Sequence, residues 1–594
     1  MPGRNKKRIS RKTALVLAIL AVFFLLFAKL VYVQIFLHGK INKAVKRMVN
    51  RKNIEVSKRG DILDSGGKIL ASSIEKYTVF LDPKIIEDFD RVKSILSENG
   101  IKVKEKSLSE FGETSYVPVA FNIDADAVDK IKNEKLKGVG FESRYLRQYP
   151  EGRLLAHILG ITGSDGNGLE GIEKTCNEFL SGDNVMTKAI RDGRGRIIQD
   201  GFIDKTKICG RNAKLSIDRN VQFIAEQELR RAFEKYKAKK AVCIVQNPKT
   251  GKILAMASLP DFNSSDKIKD LGVLRNSAIS DIYEPGSTFK IVAAAAALEL
   301  GKVKFTDSFY LENGKYKIAG HTIKDDHKIK KSASLSKIME KSSNIGMIKI
   351  AQKLGSEDFY RYIRKFGFYS LAGIELPGEA KGLLADVKNW NALSLPTISF
   401  GQGIGVTGLQ MINAFSAVAN DGVLMKPSVI ENIEKADDAE AALAKSAILM
   451  HVMRTKGKTD NGMIEDVFES KEIRRVVSVE TARIVKKLLK NVVDFGTGSS
   501  AKIPGYTVGG KTGTAQKVDP ALKTYSTKYY TVSFCGMVPA MEPEIVILVV
   551  IDEPKGSSYY AASVASPVFA NIAKRTAEYL GIKKDDKDES SFQI

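Results

Sequence analysis

The chain has 594 residues and a formal net charge of +24, from 93 Lys and Arg against 69 Asp and Glu. That length exceeds one ordinary domain of roughly 100–200 residues and suits several units, or one large α/β unit with attachments. With 43% hydrophobic and 27% charged residues, 48 Gly and 16 Pro, composition excludes a collagen-like chain, a disulfide scaffold and a largely disordered protein; the basic excess calls for a polyanionic neighbour, whether nucleic acid, an anionic membrane or a cell-surface polymer.

From Ala14 to Leu37 only Lys29 and Gln34 are neither apolar nor aromatic. A helix of that length reaches roughly 36 Å and spans a bilayer core of about 30 Å. The basic run Arg4, Lys6, Lys7, Arg8, Arg11 and Lys12 would also suit a cleaved signal peptide. No small-x-small cleavage site follows, and the apolar run continues through Phe36, so residues 13–37 read as an uncleaved anchor behind a tail of residues 1–12. Lys40, Lys43, Lys46, Arg47, Arg51 and Lys52 put as many basic residues on the far side, so charge alone does not orient the anchor.

Residues 38–56 then read as a basic helical neck. Residues 57–212 alternate short apolar runs such as Tyr77–Leu81 with Gly-rich turns, which predicts a β-containing module. Residues 213–582 are richer in regular elements. Ala241–Val245 and Lys252–Ala257, joined by Asn247–Gly251, predict a hairpin, and Ile291–Leu300 predicts a helix. Tyr529–Val538 and Glu544–Ile551 predict two further strands, and about Ala565–Leu580 a final helix. The fold class is therefore α+β, an antiparallel sheet with helices on its faces. Residues 433–459 look like an inserted helix or arm, and 583–594 like a disordered tail. Cys176, Cys209, Cys243 and Cys535 form no C-x-x-C and read as isolated core thiols, with a Cys176–Cys209 bridge open in an oxidising compartment.

Gly505–Thr512 satisfies the G-x-x-x-x-G-K-[ST] phosphate-loop pattern, but no buried strand precedes it and no good helix start follows, so nucleotide binding is not expected. There is no G-x-S-x-G elbow, and the five histidines show no partner arrangement, which disfavours a Ser-His-Asp enzyme. A lysine can serve instead as base, one helical turn from the serine, in S-x-x-K. That pattern occurs at Ser65, Ser73, Ser264, Ser287, Ser334 and Ser499. Only Ser287 follows a turn, Glu284-Pro-Gly286, and opens the long Ala-rich helix, where free N–H groups favour an oxyanion and Lys290 is desolvated. Ser264 reads as a polar loop, and Ser334 with Lys337 as polar positions early in a helix. Ser342-Ser-Asn344 and Lys511-Thr-Gly-Thr514 follow in order; the earlier Lys249-Thr-Gly251 sits in the hairpin turn and reads as structural.

The ordered set Ser287-Thr-Phe-Lys290, Ser342-Ser-Asn344 and Lys511-Thr-Gly-Thr514 resembles the active-site signature of penicillin-binding proteins and serine β-lactamases. The segments Arg59–Asp64, Arg147–Gly152, His157–Gly160 and Gly168–Gly171 are similar to the non-catalytic module of the class B, monofunctional penicillin-binding proteins. Leu215–Asp218, Phe400–Gly403 and Val406–Gln410 are similar to their transpeptidase motifs, so the resemblance covers nearly the whole chain, and its motif style is most like the division and stage V sporulation members.

That resemblance implies an elongated, β-rich pedestal or dimerisation module over 57–212 and a penicillin-recognising transpeptidase domain over 213–582. It implies a single-pass cell-membrane protein with its N-terminus cytoplasmic and its catalytic domain outside. The implied reaction joins peptidoglycan stem peptides through an acyl-serine on Ser287. Lys290 would act as base, Ser342 as proton relay, Asn344 as a ligand of the donor backbone and Lys511 as the cation for its carboxylate, with Thr512, Gly513 and Thr514 binding substrate. No metal or other cofactor is implied. Implied partners are stem peptides and lipid-linked precursor strands, a membrane glycosyltransferase, β-lactams as inhibitors and the anionic membrane surface, and not nucleic acid. A membrane-bound β-lactam sensor or β-lactamase, and a catalytically idle scaffold, are the alternatives.

Overall fold

The computed structural model describes residues 11–40, 52–55, 57–103, 114, 116–182, 185–188, 190–191, 197–199, 209–329, 331–434, 470–519, 524–556 and 559–586. The chain divides into two compact units, residues 1–57 with 183–209, and residues 58–182 with 210–594.

In the first unit, helix α1 (Arg11–Val31) runs on through a π-helical turn, Tyr32–Phe36. Together these form a 26-residue stretch of mean hydropathy 2.9, long and apolar enough to cross a membrane. Its leucines and phenylalanines are exposed, as lipid-facing side chains must be. Strand β1 (Lys52–Glu55) pairs antiparallel with Val185–Lys188. The expected helical neck thus holds only for residues 38–40; at Lys52–Glu55 long-range pairing makes a strand, and 41–51 lie outside the described residues.

The second unit begins with β2 (Ile62–Leu63) and the 13-residue β3 (Ile69–Leu81), of which the apolar run Tyr77–Leu81 is the end. Helix α2 (Phe89–Glu98), β4 (Val117–Ile123), helix α3 (Ala125–Asn133) and β5 (Val139–Gln148) follow. Both β4 and β5 pair antiparallel with β3. Strand β6 (Ala213–Leu215) returns alongside β2 in parallel. Beneath this sheet Glu173 is fully buried between Arg59 and Arg147, each 2.6 Å away. That triad ties two of the segments singled out in the sequence, Arg59–Asp64 and Arg147–Gly152, to Glu173 just beyond Gly168–Gly171.

After helix α4 (Arg219–Lys235) come the hairpin strands β7 (Lys240–Gln246) and β8 (Ile253–Leu259), then helices α5 (Lys290–Glu299), α6 (Asn344–Leu354) and α7 (Gly408–Ala419). Strand β9 (Ile430–Ile433) extends the first sheet by pairing with β6. Helix α8 (Val479–Phe495), strands β10 (Gly509–Asp519), β11 (Thr524–Val538) and β12 (Ile545–Asp552), and helix α9 (Ala561–Leu580) complete the unit. The second sheet is antiparallel in the order β8-β7-β12-β11-β10, which leaves β10 at an edge. Side chains alternate along its central strands. Val242, Ile244, Val546, Leu548 and Val550 face a core with Leu409 and Ile412 of α7. Ala241, Cys243, Val245, Ile547, Val549 and Ile551 face a second core with Val221 of α4 and Phe569 of α9. Both faces are therefore covered, which is why these strands are apolar without interruption.

Of the 433–459 segment, Ile433 ends β9 and residues 435–459 lie outside the described residues. The supposed tail is anchored at its start, because the Asp585 carboxylate accepts the Thr507 N–H at 2.7 Å; residues 587–594 lie outside the described residues. Cys176, Cys243 and Cys535 are buried thiols as expected, whereas Cys209 is an exposed thiol rather than a core one.

Candidate active site

Ser287 lies in a single 3-10 turn, Gly286–Phe289, that runs directly into α5. From Lys290 to Ala297 every residue of α5 is buried. Small alanine side chains permit that, since a helix packed on all sides needs neighbours to come close all round. Lys290, on the first turn, is consequently carried into the core with no exposed surface.

The Lys290 Nζ donates to the Ser342 carbonyl at 2.6 Å, the Asn344 Oδ1 at 2.9 Å and the Ser342 Oγ at 3.2 Å. Lys511, also fully buried, reaches the same Ser342 Oγ at 3.0 Å from the edge strand β10. One hydroxyl thus stands between two amines. Burial lowers the Lys290 pKa from 10.5 to about 7, against the opposing pull of Asp325 and Asp326. Burial, and then repulsion from Lys290, holds Lys511 well below its ordinary value. Two ammonium groups sharing one hydroxyl without hydration repel each other, so a second proton on this pair is disfavoured.

Ser342 adopts a left-handed backbone, φ 56°, a conformation costing of order 1–3 kcal/mol for a residue other than glycine. Its N–H bond to the Met339 carbonyl at 3.2 Å and the Lys290 bond to its own carbonyl hold it there. Asn344 opens α6, and Ser343 caps that helix by accepting from the Gly346 N–H. Beneath both lies Asp325, which sequence reasoning did not single out. Its carboxylate accepts from the Ser343 Oγ and the Asn344 N–H, both at 2.6 Å, and from the Ile345 N–H at 3.0 Å. A buried carboxylate on three donors at a helix N-terminus fixes the Ser342–Asn344 turn. No local pattern in the sequence announces it, because its role arises from a contact with α6.

The glycines record close approach. A Cβ on Gly513 would sit 2.7 Å from the Pro285 carbonyl oxygen, so β10 runs hard against the Ser287 turn. A Cβ on Gly401 would sit 2.1 Å from the Gly286 carbonyl oxygen, and Gly401 itself has φ +84°. The Gly286 N–H donates to the Gly401 carbonyl, which ties Phe400–Gly403 to the serine turn.

All eight residues singled out by motif fall into this assembly, with three refinements. Ser287 is half-buried, and its hydroxyl makes no hydrogen bond among the described residues; Lys290 is turned to Ser342 and Asn344 instead. The Thr512 hydroxyl is already paired with Thr497 at 2.9 Å, another residue the motifs did not include. The Thr514 hydroxyl accepts from the Ala561 N–H at 3.2 Å and so keeps its own proton to donate. The decoys separate cleanly. Lys249 is exposed in the β7–β8 turn, Ser264 is in a loop, and Ser334 caps a helix by accepting from the Lys337 N–H. Lys511 and Thr512 lie inside a strand, where no helix N-terminus can cradle phosphate.

Residues 241–574 match the penicillin binding protein transpeptidase domain family, and residues 54–215 the penicillin-binding protein dimerisation domain family. Stage V sporulation protein D of Bacillus subtilis is 32% identical over 589 residues, covering 96% of this chain and 86% of the relative. The peptidoglycan D,D-transpeptidase FtsI of Buchnera aphidicola is 30% identical, covering 94% of this chain and 93% of the relative. Among solved structures, penicillin-binding protein 3 of Mycobacterium tuberculosis complexed with aztreonam is similar at a TM-score of 0.66 and 27% identity, covering 90% of this chain and 98% of that one.

Proposed function

The chain belongs to the class B penicillin-binding proteins, and on that premise we propose how its residues carry out peptidoglycan D,D-transpeptidation in division or sporulation wall synthesis. Ser287 Oγ attacks the penultimate D-Ala carbonyl of a donor stem peptide, and the terminal D-Ala leaves. Lys290, neutral over much of the physiological range, takes the serine proton. Ser342 passes protons between Lys290 and the leaving amine. Asn344 binds the donor backbone, while Lys511 and the Thr514 hydroxyl receive its carboxylate, which stabilises a proton on Lys511 as it arrives. The N–H groups of Ser287 and Thr514 hold the oxyanion, at about 3 kcal/mol per donor. Transfer of the acyl group to a neighbouring amine completes the cross-link. β-Lactams enter the same path and stop at the acyl-enzyme.

One observation carries this assignment: a single hydroxyl, Ser342 Oγ, lies within 3.2 Å of Lys290 and 3.0 Å of Lys511, with Lys290 one turn beyond Ser287. Residues 57–212 serve as the pedestal or dimerisation module, and 213–582 as the catalytic domain. Helix α1 anchors the chain with its N-terminus in the cytoplasm, since the substrate lies outside the membrane, and a separate membrane glycosyltransferase supplies the glycan strands. Ser287→Ala tests the assignment. The variant should lose covalent labelling by a fluorescent penicillin completely while unfolding at the same temperature as the parent; persistent labelling would place the nucleophile elsewhere.

A further inference from the structure

Between Gly301 and Lys341 the chain carries ten lysines, five acidic residues and no arginine. Four of the acids are committed elsewhere: Asp307 pairs with Lys353, Glu312 with Lys349 and Glu340 with Lys337, while Asp325 holds the start of α6. Within this stretch the strands Lys315–Ile318 and His321–Lys324 form an antiparallel hairpin. Its two-residue turn, Ala319–Gly320, has φ of 47° and 79°, and a turn left-handed at both positions suits a tight hairpin and fixes its register. Lys315 therefore stands directly opposite Lys324, and Lys317 opposite Thr322, with all four side chains exposed on one face. The stem of Lys328 lies against Gly314, one residue before Lys315. Tyr316 and Ile323 take the other face, where Lys349 of α6 sits 4.1 Å from the centre of the Tyr316 ring and the Gln352 side chain donates to the Tyr316 hydroxyl at 3.4 Å. Like charges directly opposite each other destabilise a hairpin. Lys315, Lys317, Lys324 and Lys328 nevertheless have no carboxylate partner among the described residues. The Asn344 side chain donates to the Lys324 carbonyl at 3.3 Å, so this lysine face borders the candidate active site.

We propose that this face docks an anionic phosphodiester polymer of the cell wall and so holds the catalytic cleft beside wall material. Three features select that partner. Lysine meets phosphate as a compact point charge, whereas the planar fork of arginine suits a carboxylate, and this stretch has no arginine. A face that enters a lipid headgroup layer carries large apolar side chains beside its cations; here Thr322 stands among the lysines, and Tyr316 and Ile323 are on the opposite face. Finally, ammonium groups spread over both strands suit a chain of charges, because successive phosphates release counterions as they are neutralised one by one. A bound polymer also relieves the repulsion between Lys315 and Lys324.

The full chain in phosphatidylcholine nanodiscs, titrated with a fluorescent deca(glycerol phosphate), gives the affinity by anisotropy. The double variant Lys315→Gln/Lys317→Gln should bind at least fivefold more weakly, and the slope of log affinity against log salt should flatten by about 1. Its unfolding temperature and its labelling by fluorescent penicillin should match the parent's. Lys130→Gln/Lys135→Gln, which removes the same charge from exposed positions of the non-catalytic module, should change the affinity less than twofold. Thr322→Glu keeps every lysine and sets a negative charge among them; it should also weaken binding at least fivefold, and it decides the matter if the double variant fails to fold. Unchanged affinity in the folded double variant or in Thr322→Glu would overturn the proposal, as would an equal loss in Lys130→Gln/Lys135→Gln. Tighter binding of a decaglutamate would assign the face to carboxylates instead. Co-flotation with phosphatidylglycerol vesicles that falls in the double variant while polymer affinity is kept would assign it to lipid, and either result would overturn the proposal too.

Discussion

In the non-catalytic module Arg59 and Arg147 close on one carboxylate, Glu173, whereas in the catalytic domain Lys290 and Lys511 close on one hydroxyl, Ser342. Both clusters are buried, and both bring two cationic side chains to one acceptor. In the first a carboxylate touches both cations and offsets one of the two charges, and Arg59 is also bonded to the Glu173 carbonyl and Asn177. It holds three distant stretches of chain in register. Among the described residues the second has no carboxylate in direct contact with either amine, so burial is only partly offset and acts on protonation instead. Pairing a buried charge makes a clasp; leaving it short of a counter-ion makes a base.

The contrast can be broken by exchanging properties between the clusters. Lys290→Met, which keeps the volume and removes the amine, should lower acylation by penicillin at least a thousandfold, yet leave the midpoint of chemical unfolding unchanged or raised. A large loss of stability would mean that Lys290 is structural. Glu173→Gln should do the reverse. Leaving two guanidiniums without a counter-charge should cost about 3–5 kcal/mol in urea unfolding, with the acylation rate per folded molecule within threefold of the parent. Asp325→Asn should have a smaller, mixed effect. Acylation should fall about tenfold as the Ser342–Asn344 turn loosens, and stability by about 1 kcal/mol through loss of a helix cap; an acylation rate equal to the parent's would remove Asp325 from the positioning of that turn.

Much of the catalytic cluster was legible because its chemistry is local at each motif. A serine and a lysine one turn apart, opening an alanine helix, state their relation in the sequence itself, and an ordered second and third motif supply the rest. The hairpin Ala241–Ala257 and the last strands were legible for the same reason, as apolar runs bounded by turn residues. What could not be read depends on contacts across the fold. Asp325 matters only because α6 begins against it, and Thr497 only because α8 delivers it to Thr512. The Arg59–Glu173–Arg147 clasp joins residues far apart in the chain, each an ordinary charge in its own segment. Lys52–Glu55 was expected to be helical from its basic neighbourhood, and the partner strand at Val185–Lys188 decided otherwise.

The central claim is that burial, rather than a neighbouring carboxylate, makes Lys290 a base near neutrality, and the pH dependence of acylation tests it directly. Lys290 must be unprotonated to accept the Ser287 proton, so the second-order rate constant for fluorescent penicillin should rise with pH and level off above about 7, the value to which burial lowers this amine. A logarithmic rise still unbroken at pH 9.5, as an ordinary lysine of pKa about 10.4 would give, would contradict it.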